Sequence, residues 1–191
     1  MINASKCPLE PLDPAKMRER LPGGLFQLEP PFRYTTAAMT ERMQLIADYQ
    51  EQAGQLVGLT SDCSDEQAAR CPAAERWSIL EIIGHLADAE LLAAVRIRRL
   101  LTQDRAKFYG YRQNEWATRL GYQEQSLDEV VARFTLLRRS NARLLGRIAA
   151  DDWKLTGEHD ENGTLALDQL IEGYIDHTAK HLIQVQALIE E

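Results

Sequence analysis

Two histidines interrupt the apolar stripe of the last segment of the chain, and this stripe constrains the fold more than any other feature. Apolar side chains recur at steps of three and four, at Leu167, Leu170, Tyr174, Val185 and Leu188. His177 and His181 continue the same stripe, where core residues are expected. Residues at these steps lie on one face of an α-helix. The pattern therefore predicts a long helix, capped by Thr164 and ending near Ile189, with two imidazoles on its inner face.

Three earlier segments show the same helical period. The predicted helices run from about Thr36 to Leu59, from Ser78 to about Leu101, and from Ser126 to about Ala149. The second and third begin with capping boxes, in which a serine precedes a glutamate by three residues: Ser78 with Glu81, and Ser126 with Glu129. No alternating strand pattern competes. The sequence predicts an all-α fold, a four-helix bundle.

His85 is the third histidine in a helical stripe, on one flank of the second predicted helix. A single buried histidine is usually a hydrogen-bonded core residue, whereas His177 and His181 would together lose hydration twice without a shared partner. A metal ion removes that cost by accepting a lone pair from each imidazole. Three histidines would form an open site, with a position left for water or substrate. Zinc and nickel are the leading candidates; copper and iron also suit imidazole, so the ligands alone do not select the metal.

Two residues near these histidines are candidate catalytic groups. Asp88 follows His85 by one helical turn, and could orient a ligand through its second nitrogen or act as a base. The alternative for Asp88 is an ion pair with an arginine such as Arg96 or Arg99. His159 follows Gly157 in a predicted loop, where it either reaches the open side of the site or is exposed to solvent.

The aromatic connection at residues 102–125 is a candidate pocket wall. It contains a predicted short helix around Asn114–Leu120. Long ordered connections in compact domains often have a functional role, although these aromatics could equally close one end of the bundle. Asn141 lies in the apolar row of the third helix, and either bonds to a core group or faces the pocket. The candidate pocket residues are Tyr111, Asn114, Trp116, Asn141 and Tyr174.

The N-terminal segment differs in composition from the rest of the chain. Residues 1–34 hold six of the seven prolines, which exclude a long helix there and predict an irregular arm. Residues 35–191 would form one helical domain. The three cysteines include no CxxC pair, so neither a disulfide framework nor a cysteine zinc site is indicated.

Charge and hydropathy narrow the classes of partner. The net charge of −7 argues against a nucleic-acid backbone as the main partner. No apolar run reaches membrane-spanning length, and residues 1–10 lack an apolar signal core. We therefore expect a cytoplasmic protein with a small-molecule substrate and no membrane partner.

Two stretches of the sequence resemble the signatures of the DinB/YfiT-like family. The first is Trp77-Ser78 followed by Glu81-Ile-Ile-Gly-His85-Leu-Ala-Asp88-Ala-Glu90. The second is Gly163-Thr-Leu165, followed by His177-Thr-Ala-Lys-His181-Leu-Ile-Gln184. Trp116, Arg138 or Arg139, and Trp153 also fall where that family often has similar residues. The resemblance covers about residues 36–190 and excludes the arm.

The resemblance implies a four-helix bundle whose metal is bound by one histidine of the second helix and two of the fourth. By position these are His85, His177 and His181. It also implies frequent dimers, so a homodimer is expected. The wider superfamily includes transferases and isomerases that use low-molecular-weight thiols, and members regarded as metal-dependent hydrolases. Three hypotheses follow: a thiol S-transferase-like enzyme acting on an electrophile, a hydrolase assisted by Asp88 or His159, and a non-catalytic binding protein related to stress.

Overall fold

The computed structural model describes residues 36–73 and 76–191, and four long helices dominate that part of the chain. They are α1 (Thr36–Thr60), α3 (Ile79–Thr102), α5 (Leu127–Leu145) and α6 (Leu167–Glu190). Two short helices, α2 (Asp65–Ala69) and α4 (Gln113–Arg119), lie in the connections. Both α1 and α3 pack against α5 and α6, which confirms the predicted four-helix bundle. The predicted arm at residues 1–34 lies outside the described residues.

A small three-stranded sheet, absent from the prediction, closes one side of the bundle. Strand β2 (Thr156–His159) lies between β1 (Ala106–Phe108) and β3 (Gly163–Ala166), parallel to the first and antiparallel to the second. The turn before β3 uses Gly163 at φ 70°, a left-handed conformation that favours glycine. The strands are too short to show alternation. Two of them also pair across about fifty residues of sequence, so local pattern could not reveal them.

The apolar core forms two clusters separated by a polar layer. One cluster packs residues such as Leu56, Ile83, Phe134 and Val185, and the other packs Ile97, Leu145, Trp153 and Ile171. Between these levels all four long helices carry buried or half-buried polar side chains: Gln52, His85, Glu90, Arg138, Asn141, His177, Thr178 and His181. The fold therefore brings these polar side chains together at the middle of the bundle.

The predicted helix ends need three corrections. Thr164 lies in β3 and does not cap α6, which begins at Leu167 because residues 163–166 pair with β2. The fifth helix ends at Leu145, four residues earlier than predicted, before a 3₁₀ turn at Asp151–Lys154. Ser126 makes no side-chain capping bond; Asp65 instead accepts the backbone N–H of Leu127 at 2.8 Å. The box formed by Ser78 and Glu81 is present as predicted.

None of the helices in the two described ranges combines the length and the apolarity needed to cross a bilayer.

Candidate metal centre

Three imidazoles converge between α3 and α6. The Nε2 atom of His177 lies 2.9 Å from Nε2 of His85 and 3.2 Å from Nε2 of His181. His85 is buried, and the two histidines of α6 are half-buried. The helical spacing of four residues places both α6 imidazoles on the face toward α3. The structure thus brings together all three residues predicted as ligands.

The outward nitrogens of two imidazoles have partners that hold the rings in place. Nδ1 of His181 lies 2.8 Å from the amide oxygen of Gln184, and Nδ1 of His85 lies 2.8 Å from the hydroxyl of Tyr111. Such outer contacts orient metal-binding imidazoles and select the nitrogen that carries the hydrogen. Because an amide oxygen only accepts, Nδ1 of His181 carries the hydrogen and its Nε2 offers a lone pair.

Hydrogen bonds among the three imidazoles cannot satisfy the cluster. Nε2 of His177 is close to both other Nε2 atoms, but in a neutral ring it carries at most one hydrogen. It can therefore complete only one of the two contacts by donating a hydrogen bond. A cation that accepts several lone pairs resolves this arrangement.

The spacing of the nitrogens fits a single metal ion. Two imidazole nitrogens at about 2.0–2.1 Å from one ion would lie about 2.9 Å apart at a right angle and about 3.4 Å apart at the tetrahedral angle. The two separations here, 2.9 and 3.2 Å, fall within that interval. The residues present therefore fit a divalent metal, with His85, His177 and His181 as the residues that would hold it.

The surroundings keep these imidazoles neutral, as metal ligands must be. Burial, reinforced by the neighbouring histidines, lowers the pKa of His85 to about 3. Burial and the nearby His181 lower the pKa of His177 to about 4. Burial also lowers the pKa of His181, while the contact with Gln184 opposes the change. At neutral pH the cluster offers lone pairs rather than positive charge.

Asp88 lies near the cluster, but it does not hold the outward nitrogen of His85, which faces Tyr111. Its carboxylate instead accepts a hydrogen bond of 2.5 Å from Tyr122 and lies 4.0 Å from the guanidinium of Arg133. The Tyr122 ring packs so closely against α3 that a Cβ atom on Gly84 would lie 2.8 Å from it. The predicted contact with a ligand is absent, and the alternative, an ion pair with an arginine, is present with Arg133 rather than with Arg96 or Arg99.

A cavity of about 490 Å³ adjoins the cluster. His85 and His177 line it, and so do Tyr111, Tyr174 and His159 among the predicted residues. Burial raises the pKa of Tyr174 to about 12, so its hydroxyl stays protonated at neutral pH. The cavity also includes Arg96, Gln113, Glu161, Asn162 and Gln169, which the prediction did not include.

Three predicted pocket residues do not line this cavity. Trp116 packs on the ring of Tyr111, with centroids 4.5 Å apart, and so supports the wall from behind. Asn114 lines a separate depression beside Trp77. Asn141 is fully buried, and its amide donates to the carboxylate and the backbone oxygen of Glu90, both at 3.2 Å. Of the two alternatives for Asn141, the bond to a core group is the one present.

His159 lies in β2 rather than in a loop, and it is 6% exposed. Its Nε2 faces the Arg96 guanidinium at 3.2 Å, and its Nδ1 lies 3.2 Å from the Asp160 carboxylate. The parallel pairing with Phe108 places the imidazole in the cavity wall. The expectation of a solvent-exposed histidine is therefore wrong, because the sheet was not anticipated.

A buried ion pair next to the cluster was missed at the sequence level. Arg138 donates to the Glu90 carboxylate, to the Gln52 amide oxygen, to the Tyr49 backbone oxygen at 2.7 Å and to the Thr178 hydroxyl at 3.1 Å. The charge of Glu90 would ordinarily place it in solvent, yet this residue is 1% exposed. Its position four residues after Leu86 and three before Ala93 is the signal that could have shown this.

Comparisons with known proteins agree with this architecture. A profile of the DinB superfamily matches residues 48–185. A protein of Oceanobacillus iheyensis, named as a proposed metal-dependent hydrolase, is 26% identical over 175 residues, which cover 90% of this chain and 96% of the relative. A second proposed metal-dependent hydrolase, from Halalkalibacterium halodurans, is 25% identical over 116 residues, 58% of this chain and 64% of that protein. The solved structure of Bacillus subtilis YfiT, described as having an unusual four-helix bundle topology, matches with a TM-score of 0.72 at 17% identity, over 84% of this chain and 90% of that chain.

Proposed function

The chain belongs to the DinB superfamily, and from this premise we propose that it is an enzyme in which His85, His177 and His181 hold a divalent metal beside a substrate cavity. The observation that carries the proposal is the convergence of three neutral imidazoles, in which Nε2 of His177 lies 2.9 Å from that of His85 and 3.2 Å from that of His181. Zinc and nickel are the first metals to test, followed by iron. The names of the two bacterial relatives support metal dependence.

The metal, when bound, supplies Lewis acidity to a nucleophile at its open side. The chain's own residues prepare that chemistry. Tyr111 holds the His85 ring through its outward nitrogen, and Gln184 does the same for His181. Because Tyr111 and Tyr174 stay protonated at neutral pH, they present hydroxyl groups that can orient a polar substrate.

Two nucleophiles are compatible with this site. A low-molecular-weight thiol would make the protein an S-transferase acting on electrophilic small molecules, as the family resemblance implies. Water would make it a hydrolase, which the names of the relatives favour. Asp88 and His159 are the candidate proton carriers for either reaction, and His159 is the one that lines the cavity.

Elemental mass spectrometry on the untagged protein tests the site first. We expect about one equivalent of metal in the native protein, and its loss in His85→Ala and in the double variant His177→Ala/His181→Ala. His159→Ala is the matched control, because it removes a buried histidine that lies outside the cluster. A native protein that takes up neither zinc, nickel nor iron would show that these are core histidines.

Activity assays then separate the nucleophiles. Turnover of esters or amides without added thiol, lost in His177→Ala, supports hydrolysis. Conjugation of an electrophile that requires a thiol supports transfer. A metal-loaded protein without turnover on either panel, whose melting temperature falls sharply on chelation, would support the non-catalytic hypothesis instead.

A further inference from the structure

Arg96 places a positive charge in the wall of the cavity that adjoins the histidine cluster. It follows His85 by eleven residues on α3. Eleven residues are close to three helical turns, so both residues face the same side, about 16 Å apart along the axis. Both side chains line the cavity of about 490 Å³, whose volume is that of a small-molecule site. The cavity therefore has a metal-binding end and a cationic end.

No carboxylate among the described residues neutralises this cation. The ion pairs within the two described ranges involve other residues, and none includes Arg96. Its guanidinium donates to the Tyr174 hydroxyl at 3.0 Å and to the Tyr109 backbone oxygen at 2.8 Å, and it lies 3.2 Å from Nε2 of His159. The bonds to Tyr174 and Tyr109 occupy two of its five N–H groups and the contact with His159 occupies at most one more, so donors remain for a ligand.

The neighbours of Arg96 favour an anionic ligand. The Tyr174 hydroxyl accepts from Arg96, and its own hydrogen is available to donate, since the phenol is protonated at neutral pH. Among the residues that line the cavity, Glu161 is the one carboxylate, and it is exposed to solvent. Solvent screens an exposed charge more than a half-buried one, so the guanidinium of Arg96 is the less screened of these two charges.

We propose that Arg96 and Tyr174 bind a carboxylate of the substrate, whose reacting group then lies at the histidine cluster. A planar guanidinium recognises carboxylates through two parallel hydrogen bonds. Only the placement of the substrate's reacting group at the histidine cluster rests on the proposed function, because carboxylate binding at Arg96 needs no metal.

Calorimetric titration of the metal-loaded protein with matched ligands tests the proposal. The probes are ω-mercaptoalkanoates of two to six methylene groups and the mercaptoalkanols of the same lengths. We expect the longer acids to bind about tenfold or more tightly than their alcohols, because charge-assisted hydrogen bonds are the strong ones. The shortest acid should show little preference, since it cannot reach both ends.

Two arginine variants separate carboxylate recognition from general effects. Arg96→Gln should abolish the ratio between acid and alcohol affinities, while Arg96→Lys retains part of it. Arg98→Gln is the matched control, because Arg98 is exposed on the same helix and bonds to the Ala94 backbone oxygen. A merely structural role for Arg96 would weaken acids and alcohols together and leave their ratio unchanged, which would overturn the proposal. Equal affinities of the native protein for the acids and their alcohols would also overturn the proposal. So would loss of the preference for acids in Arg98→Gln.

Chelator-treated protein distinguishes this inference from the proposed function. Hexanoate should bind that protein more tightly than hexanol, and Arg96→Gln should remove the difference. If metal is absent from the native protein but this preference is present, the carboxylate site stands without the metal chemistry. If metal binds at the histidines but no acid preference exists on either form, the inference about Arg96 is wrong and the metal proposal is unaffected.

Discussion

Replacing Arg138 by methionine should lower the free energy of unfolding by about 3 to 5 kcal/mol, the usual cost of removing one partner from a buried ion pair. Arg138 is 0% exposed, and it links α5 to side chains or backbone of the three other long helices. Methionine fills much of the same space without charge or donors. The Glu90 carboxylate would remain at 1% exposure, and its remaining partners among the described residues would be the Tyr49 hydroxyl and the Asn141 amide.

The loss should be visible as a large thermal shift. For a domain of this size, each kcal/mol shifts the melting temperature by about 2 to 4 °C, so the variant should melt about 6 to 20 °C lower. Urea unfolding followed by circular dichroism gives the free energy directly, provided that the slope is unchanged. Arg139→Met is the matched control, because Arg139 is the exposed neighbour on the same helix and should change stability by less than about 0.5 kcal/mol.

A double-mutant cycle with Glu90→Gln tests the ion pair itself. The double variant should be less destabilised than the sum of the two single variants by at least about 1 kcal/mol, because the second substitution removes a charge that already lacks its partner. Additive effects, or a loss below about 1 kcal/mol in Arg138→Met, would refute the conclusion that this pair joins the helices.

Three further predictions concern the layer around the histidines. The metal-free protein should lose stability as the pH falls from about 6.5 toward 3, by up to about 1.4 kcal/mol per pH unit from His85 alone. The reason is that the folded pKa of His85 is about 3, so the unfolded chain takes up the proton first. Urea unfolding at several pH values checks this, and His85→Ala should show a flatter pH profile than the native protein. Tyr111→Phe should weaken metal binding about 10- to 100-fold, because it removes the contact to the outward nitrogen of His85. Competition with a chromogenic chelator measures the affinity, and an unchanged value would show that this contact does not orient the ring. Gly84→Ala should destabilise the protein by about 1 to 3 kcal/mol in urea unfolding, since its Cβ would lie 2.8 Å from the Tyr122 ring. Gly173→Ala is the control and should be neutral or stabilising, because its Cβ would meet nothing within 4 Å.

Helical period was enough to predict the bundle and the position of its histidines, because both depend on local spacing. The stripe through His177 and His181 specifies which face turns inward, and the capping box at Ser78 specifies where the helix of His85 begins. Convergence of the three imidazoles then follows from packing α3 against α6.

Features that depend on contacts between distant segments could not be predicted in the same way. His159 enters the cavity wall because β2 pairs with β1 and β3. The pairing with β1 spans about fifty residues and leaves no local pattern, whereas Asn162-Gly163 is the turn signal that could have indicated the hairpin with β3. Asn114 and Trp116 share a short helix with Tyr111 just before it, yet only Tyr111 faces the cavity, since the orientation of a two-turn helix depends on its tertiary contacts. The role of Arg96 in the cavity wall could not be predicted either, because nothing in the local sequence shows that Tyr174 lies against it.

The buried polar groups at the middle of the bundle differ in whether the chain completes their bonding. Arg138 finds acceptors on α1, α3 and α6, so its role is complete within the fold and concerns stability. One of its acceptors, Thr178, is the residue that follows His177, and this bond therefore also sets the position of α6 beside the cluster. The three Nε2 atoms, in contrast, point at one another and cannot all be satisfied by hydrogen bonds. Because the guanidinium of Arg138 has its acceptors within the fold while the adjacent imidazoles keep unused lone pairs, the contrast supports the proposal that a ligand from outside the chain completes the histidine cluster.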